Sequence, residues 1–224
     1  MSNKQLYIGL ISEGSTDTRF LFSVVDRTIK QLVFNFGGSI EIYIEELKKD
    51  SGKKFVNQII DANLAHQKEN FINILLIHSD ADFKDDSKVL KEKYIPLIEN
   101  IKSNNDMICK EIVPIIPIYM IEAWMLADIH LFLDEISTKK TKTELGINGN
   151  PESFTNPKNK IKEALLIINQ EKPKKRRKDL QINDLYQIIG QKIEIEKLLE
   201  LNSFTKFYDQ ISDSLIKLQF IHKK

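Results

Sequence analysis

The order of residues predicts an α/β fold: a mainly parallel central sheet of about four strands, flanked by helices and followed by a C-terminal helical elaboration. Three observations carry this expectation. Short apolar runs rich in branched residues alternate with segments of helical period through the first half of the chain. Two of those runs exit into acidic motifs, Glu13-Gly14 and Asp80-Ala81-Asp82. Beyond about Met120 no further strand pattern recurs.

The first strand is Leu6-Tyr7-Ile8-Gly9-Leu10-Ile11, too short for a helix and apolar enough to be buried on both faces. After Glu13-Gly14, Ser15-Thr16-Asp17-Thr18 opens a helix, with Ser15 as the expected N-cap and Asp17 suited to the positive end of the dipole. Phe20, Leu21, Val24, Val25 and Thr28 continue it at helical spacing. Gly37-Gly38 breaks the chain, and Ile40 to Ile44 alternates as a strand. Phe55, Ile59, Ile60 and Leu64 mark the second helix. The run Phe71 to Ile77 is the third strand, followed by a helix from about Ser87 to Ile101. Ile108 to Ile118 supplies a fourth strand, interrupted by Pro114 and Pro117. This order divides the chain into an α/β core over 1–119 and a mainly helical part over 120–224 packed on it. In the second part, Met120 to Leu133 reads as one helix, Leu165 to Ile168 lies in a short one, and a last helix runs near Phe204 to Leu218.

Composition bounds the function classes. A chain of 224 residues with 42% apolar and 29% charged residues is an ordinary globular domain with an elaboration. The net charge of +1 sets up no global field toward nucleic acid, so such contacts must come from local patches. Cys109 is the single cysteine and reads as a buried, inert thiol. No apolar run approaches the ~20 residues that span a bilayer, and the start of the chain does not resemble a secretory signal, so a cytoplasmic location without membrane contact is expected. There is no Gly-Lys-Ser/Thr phosphate loop and no zinc-like histidine spacing.

The acidic motifs are the candidate site. In an open parallel sheet, ligands gather outside the carboxyl ends of the strands. Glu13, Asp80 and Asp82 delivered there would repel one another unless a cation lay between them, and hard oxygen donors suit Mg²⁺ (or Mn²⁺). The alternative is a solvated strand-end acid at Glu13 and N-capping aspartates at Asp80 and Asp82. Glu122, near the start of the next helix, is either a further metal ligand or a first-turn acid favoured by the dipole. Trp124 reads as core, Asp128 as surface, and His78 as a hydrogen-bonded core histidine. Six cations fill the seven positions 172–178, among them Lys174, Lys175, Arg176 and Arg177. They either grip a nucleic-acid backbone or form a solvated loop. Arg19 is a phosphate contact or a partner for Asp17, and Lys158 is a candidate contact to the substrate backbone.

Glu13-Gly14 after the first strand and Asp80-x-Asp82 after a later one resemble the Toprim domain shared by topoisomerases, bacterial primases and small nucleases. Glu13 to Leu21, Ile121 to Asp128, Asn156-Pro157-Lys158, Leu185-Tyr186 and Ser203-Phe204 resemble one uncharacterised bacterial Toprim-like family, itself distantly similar to overcoming-lysogenization-defect nucleases. The Toprim part of the resemblance covers about Lys4 to Ile118, and Phe83-Lys84 stands where many primases and topoisomerases carry glycine. The resemblance implies a Mg²⁺-dependent phosphodiester site, with Glu13 as general acid/base or metal ligand and Asp80 and Asp82 as the metal-binding pair. It further implies cleavage of DNA or RNA in a bacterial defence or mobile-element setting, beside an ABC-type ATPase partner. A non-catalytic binding or sensor subunit on the same fold is the runner-up. A haloacid-dehalogenase-type phosphatase ranks third, because Glu13 stands where its nucleophile would be.

Overall fold

The structure, a computed structural model, describes residues 4–36, 39–68, 70–103, 108–171 and 179–222. Four parallel strands, β1 (Lys4–Ile11), β2 (Ile40–Glu46), β3 (Ile74–His78) and β4 (Ile112–Ile115), form one sheet in the order β2-β1-β3-β4. Ile8 pairs with Ile44 on one side and Ile74 on the other, and Leu76 pairs onward with Val113. Every residue of β3 is buried, whereas β2, at the edge, alternates half-buried isoleucines with exposed Glu41, Tyr43 and Glu45. Pro114 lies within β4, where an edge position spares the donor that proline lacks.

The sheet is covered on both faces. Helix α1 (Ser15–Asn35) buries Phe20, Leu21, Val24, Val25 and Ile29 against Leu6, Ile8 and Leu10 in one core. Helix α2 (Phe55–Gln67) and the helical stretch after β3 pack Ile59, Tyr94, Leu97 and Ile101 against Ile11, Leu75 and Ile77 in the other. That stretch is α3 (Ser87–Val89), a π-helical segment over Leu90–Tyr94, and α4 (Ile95–Ser103). It follows the span expected of one helix, with a widened turn in its middle.

Past β4 come α5 (Glu122–Met125), α6 (Ile129–Glu135), α7 (Pro157–Glu171), α8 (Leu185–Lys192), α9 (Ile195–Leu198) and α10 (Asn202–Lys217). The single helix expected over Met120 to Leu133 is in fact two. The first ends at Met125, and Asp128 caps the second, its carboxylate accepting from the Leu131 amide at 3.0 Å. The short helix expected near Leu165 is fifteen residues long in α7. These helices share the α1 core. Trp124, Tyr186, Phe204, Phe207 and Ile211 are buried in it, and the Trp124 indole donates to Ser203 Oγ at 2.7 Å. Arg27 of α1 donates to the Gly190 and Ile193 carbonyls at 2.8 and 2.5 Å, placing a cation at the negative end of α8. Gly190 itself lies so close to α1 that a Cβ there would sit 2.6 Å from the Phe20 carbonyl oxygen. Among the described residues, no helix is long and apolar enough to cross a membrane.

Candidate functional site

Strand order places the site. The chain leaves β1 toward β2 on one side and reaches β3 on the other, so the crevice at the carboxyl ends opens between β1 and β3. Glu13 follows β1 there, and Asp80 follows β3.

At the end of β1, Gly14 is the N-cap of α1, in place of the expected Ser15. Its amide donates to Asp17 Oδ2 at 2.9 Å, which turns Asp17 back toward the strand end. The imidazole of His78, the last residue of β3, is buried between two acids. Its Nδ1 lies 3.8 Å from Asp17 Oδ2, and its Nε2 lies 3.2 Å from Asp80 Oδ1. Asp80 Oδ1 also accepts from the Ile121 amide at 2.9 Å, tying the end of β3 to the entry of α5. One residue on, Glu122 is only 2% exposed, with Lys158 Nζ at 3.1 Å from Oε1. The Tyr186 hydroxyl donates to the same oxygen.

The electrostatics follow from this crowding. Burial opposes the ionised form of Glu13, yet the hydrogen bond and charge of Lys93, with His78 and Lys49, hold its pKa below the ordinary range. Burial raises the pKa of Asp80, and the charges of Glu13 and Glu122 add to it against the stabilising contact with His78. Asp17 is raised in the same way, by burial and then by Asp80 and Glu122. Burial alone would lower the His78 pKa; Asp80, Asp17 and Glu13 outweigh it and raise it. Burial and Glu122 push the Tyr186 hydroxyl up. The rim is thus a set of mutually repelling carboxylates with an imidazole between two of them.

The residues expected in the site fare differently. Glu13 and Asp80 emerge from adjacent strands and act on each other. Asp82 does not join them: Asp80 turns inward to His78, whereas Asp82 is exposed at φ 53°, its amide donating to the Tyr119 carbonyl at 2.9 Å. Two backbone bonds, from the Ala81 amide to the Pro117 carbonyl and from the Asp82 amide to the Tyr119 carbonyl, carry the pairing with the β4 side past the end of β3. Glu122 reaches the rim but is enclosed by Lys158 and Tyr186. Lys158 is therefore at the site, 42% exposed, and joined to Glu122. Arg19 is exposed elsewhere, lining a cleft of about 570 Å³ with Glu135, Asp184 and Gln187. Lys174, Lys175, Arg176 and Arg177 lie outside the described residues.

Several groups were not expected from the sequence. Lys93, in the π-helical segment, pairs with Glu13 at 2.8 Å, and its ammonium lies 5.5 Å from the centre of the Phe55 ring. Lys49, in the loop after β2, is half-buried and close enough to feel Glu13, Asp17 and Lys93. A lysine in a lysine-rich surface segment carries no sequence signal, and only the turn geometry picks these out. Tyr186 had a faint signal in the Leu185-Tyr186 pair, and Asp17 had one in its position three residues after Gly14.

A divalent ion suits the chemistry of this donor set, because all-oxygen carboxylates repelling one another are what a hard cation relieves. It does not find a closed cage: among the described residues no three His, Cys, Asp or Glu side chains are grouped so as to hold a metal. Glu13 and Asp80 meet Lys93 and His78, as Glu122 meets Lys158 and Tyr186.

Over residues 12–212 the chain matches the family described as Domain of unknown function (DUF4276), and it belongs to that family. No curated protein and no solved structure matches it.

Proposed function

We propose that this DUF4276 protein is a Toprim-type nuclease that uses Mg²⁺ or Mn²⁺ to cleave phosphodiester bonds in DNA or RNA, within a bacterial defence or mobile-element system. One observation carries the reading: Glu13 and Asp80 leave adjacent parallel strands at the switch point of the sheet, the position where such folds bind phosphate ligands. Glu13 and Asp80 would hold the ion, which when bound polarises the phosphoryl group and supplies a nucleophile at neutral pH. Lys93 keeps Glu13 ionised, the form that a hard cation takes. His78 fixes the orientation of Asp80, with the Ile121 amide on the same oxygen. Lys158, held by Glu122 at the mouth, offers positive charge to the developing phosphorane.

Incubation with plasmid, single-stranded DNA and RNA under Mg²⁺ or Mn²⁺ tests this. Cleavage is expected, with Asp80→Ala and Glu13→Ala each reducing it by about a hundredfold or more. Mutants that cut like the parent would overturn it. A second reading, a non-catalytic binding or sensor subunit beside an ABC-type ATPase, draws on the internal pairing of the acids with Lys93, His78 and Lys158. It gains if no substrate is cut even with such a partner present.

A further inference from the structure

Lys93 and Lys49 come from different elements on the same side of the crevice. Leu47 is buried and its amide donates to the Leu10 carbonyl at 2.9 Å, which pins the loop carrying Lys49 against the end of β1. Lys93 sits in the five-residue π-helical segment, a widened turn that often marks functional positions. Its neighbour Tyr94 is fully buried and donates to the Ile77 carbonyl at 2.7 Å, so the same turn is anchored to the end of β3. Consecutive residues thus serve as anchor and as cation. The Phe55 ring flanks the Lys93 ammonium and the Glu13 carboxylate holds it at 2.8 Å.

Lys49 differs from Lys93 in having no carboxylate within ion-pair distance among the described residues. Burial disfavours its charge, Glu13 supports it and the nearby Lys93 opposes it. Two ammonium groups on separately anchored segments, both acting on Glu13, suit a ligand of at least one negative charge with several acceptor oxygens to take lysine donors. A third lysine of the site, Lys158, is engaged by Glu122.

We propose that Lys49 and Lys93 form a phosphate subsite for a polynucleotide backbone, next to the phosphodiester at Asp80. This rests on the nuclease reading for the identity of the polyanion. The Lys93–Glu13 pair is 31% and 36% exposed, so exchanging the carboxylate for a phosphate oxygen costs little.

Binding, not cleavage, tests the subsite. The parent, Lys49→Gln/Lys93→Gln together, and the distant control Lys30→Gln are titrated with a fluorescent oligothymidine in Ca²⁺ and again in EDTA, over a series of salt concentrations. Loss of two phosphate contacts should weaken binding roughly tenfold and flatten the slope of log affinity against log salt by about 1.4. Lys30→Gln should match the parent. Lys93→Arg with Lys49→Arg should restore the slope, and melting temperatures check that each variant is folded. A double variant with the parent's affinity and slope would overturn the proposal, as would a parent that binds no oligonucleotide in either condition. If the parent binds with the expected slope change but cleaves nothing in Mg²⁺ or Mn²⁺, the nuclease reading fails and the subsite stands.

Discussion

Two glutamates at the same sheet edge are held in opposite ways. Glu13, from the α/β core, pairs with Lys93 across a gap open to water; the two side chains are 36% and 31% exposed. Glu122, from the helical half, is 2% exposed and enclosed by Tyr186 and Lys158. An exposed pair contributes between nothing and ~1 kcal/mol, so exchanging its partner costs little. A buried carboxylate that loses a partner is left desolvated and unmatched, at a cost of several kcal/mol. The rim glutamate is therefore free to take a ligand, whereas the buried one is a clasp joining α5, α7 and α8 beneath it.

Substitutions can break this contrast, and the largest effect on stability belongs to the clasp. Tyr186→Phe removes a hydrogen bond to a buried charge and should cost about 2 kcal/mol, lowering the melting temperature by roughly 4–8 °C. Thermal unfolding checks it; a change under ~1 °C would mean that Glu122 is not held as described.

A smaller effect, dependent on pH, belongs to His78. Its pKa is raised in the folded protein above the usual 6.5, so its contacts with Asp80 and Asp17 stabilise fully below that value and are lost as pH rises through the folded pKa. In EDTA, the gap in melting temperature between the parent and His78→Gln should be widest at mildly acidic pH, where the imidazolium and the Asp80 and Asp17 carboxylates are charged together, and narrow toward alkaline pH. A gap that widens with rising pH would show that the imidazole is held neutral.

The smallest effect belongs to the rim pair. Lys93→Ala should change stability by less than ~1 kcal/mol. The same substitution should raise the pKa of Glu13, whose ionised form it now supports. Titration of the Glu13 carboxyl by NMR in the two proteins measures this directly, and an unshifted resonance would remove Lys93 from the account of the site.

Much of this arrangement was legible in the chain. Branched apolar runs at Leu6 to Ile11 and Ile74 to Ile77 can only be buried strands, and the helical period between them forces parallel crossovers. Glu13 and Asp80 stand immediately after those strands, so their delivery to one edge followed from the same pattern. Spacing along a chain does not give direction: Asp80 meets His78, while Asp82 is exposed at a left-handed φ with its amide on the Tyr119 carbonyl. The position of Glu122 after β4 placed it near the rim, but its contacts with Lys158 and Tyr186 come from distant parts of the chain.

What the sequence by itself determined is local and periodic: which segments are strands, which face of α1 is apolar, and which acids stand at strand ends. Those properties depend on a few neighbouring residues and on the 2.0 and 3.6 residue repeats of backbone geometry. Only the tertiary structure decided that Lys93 meets Glu13 across 80 positions and that Tyr186 meets Glu122 across 64. Such pairs arise where a π turn and a closing helix bring distant side chains together, and no local rule in the chain records that distance.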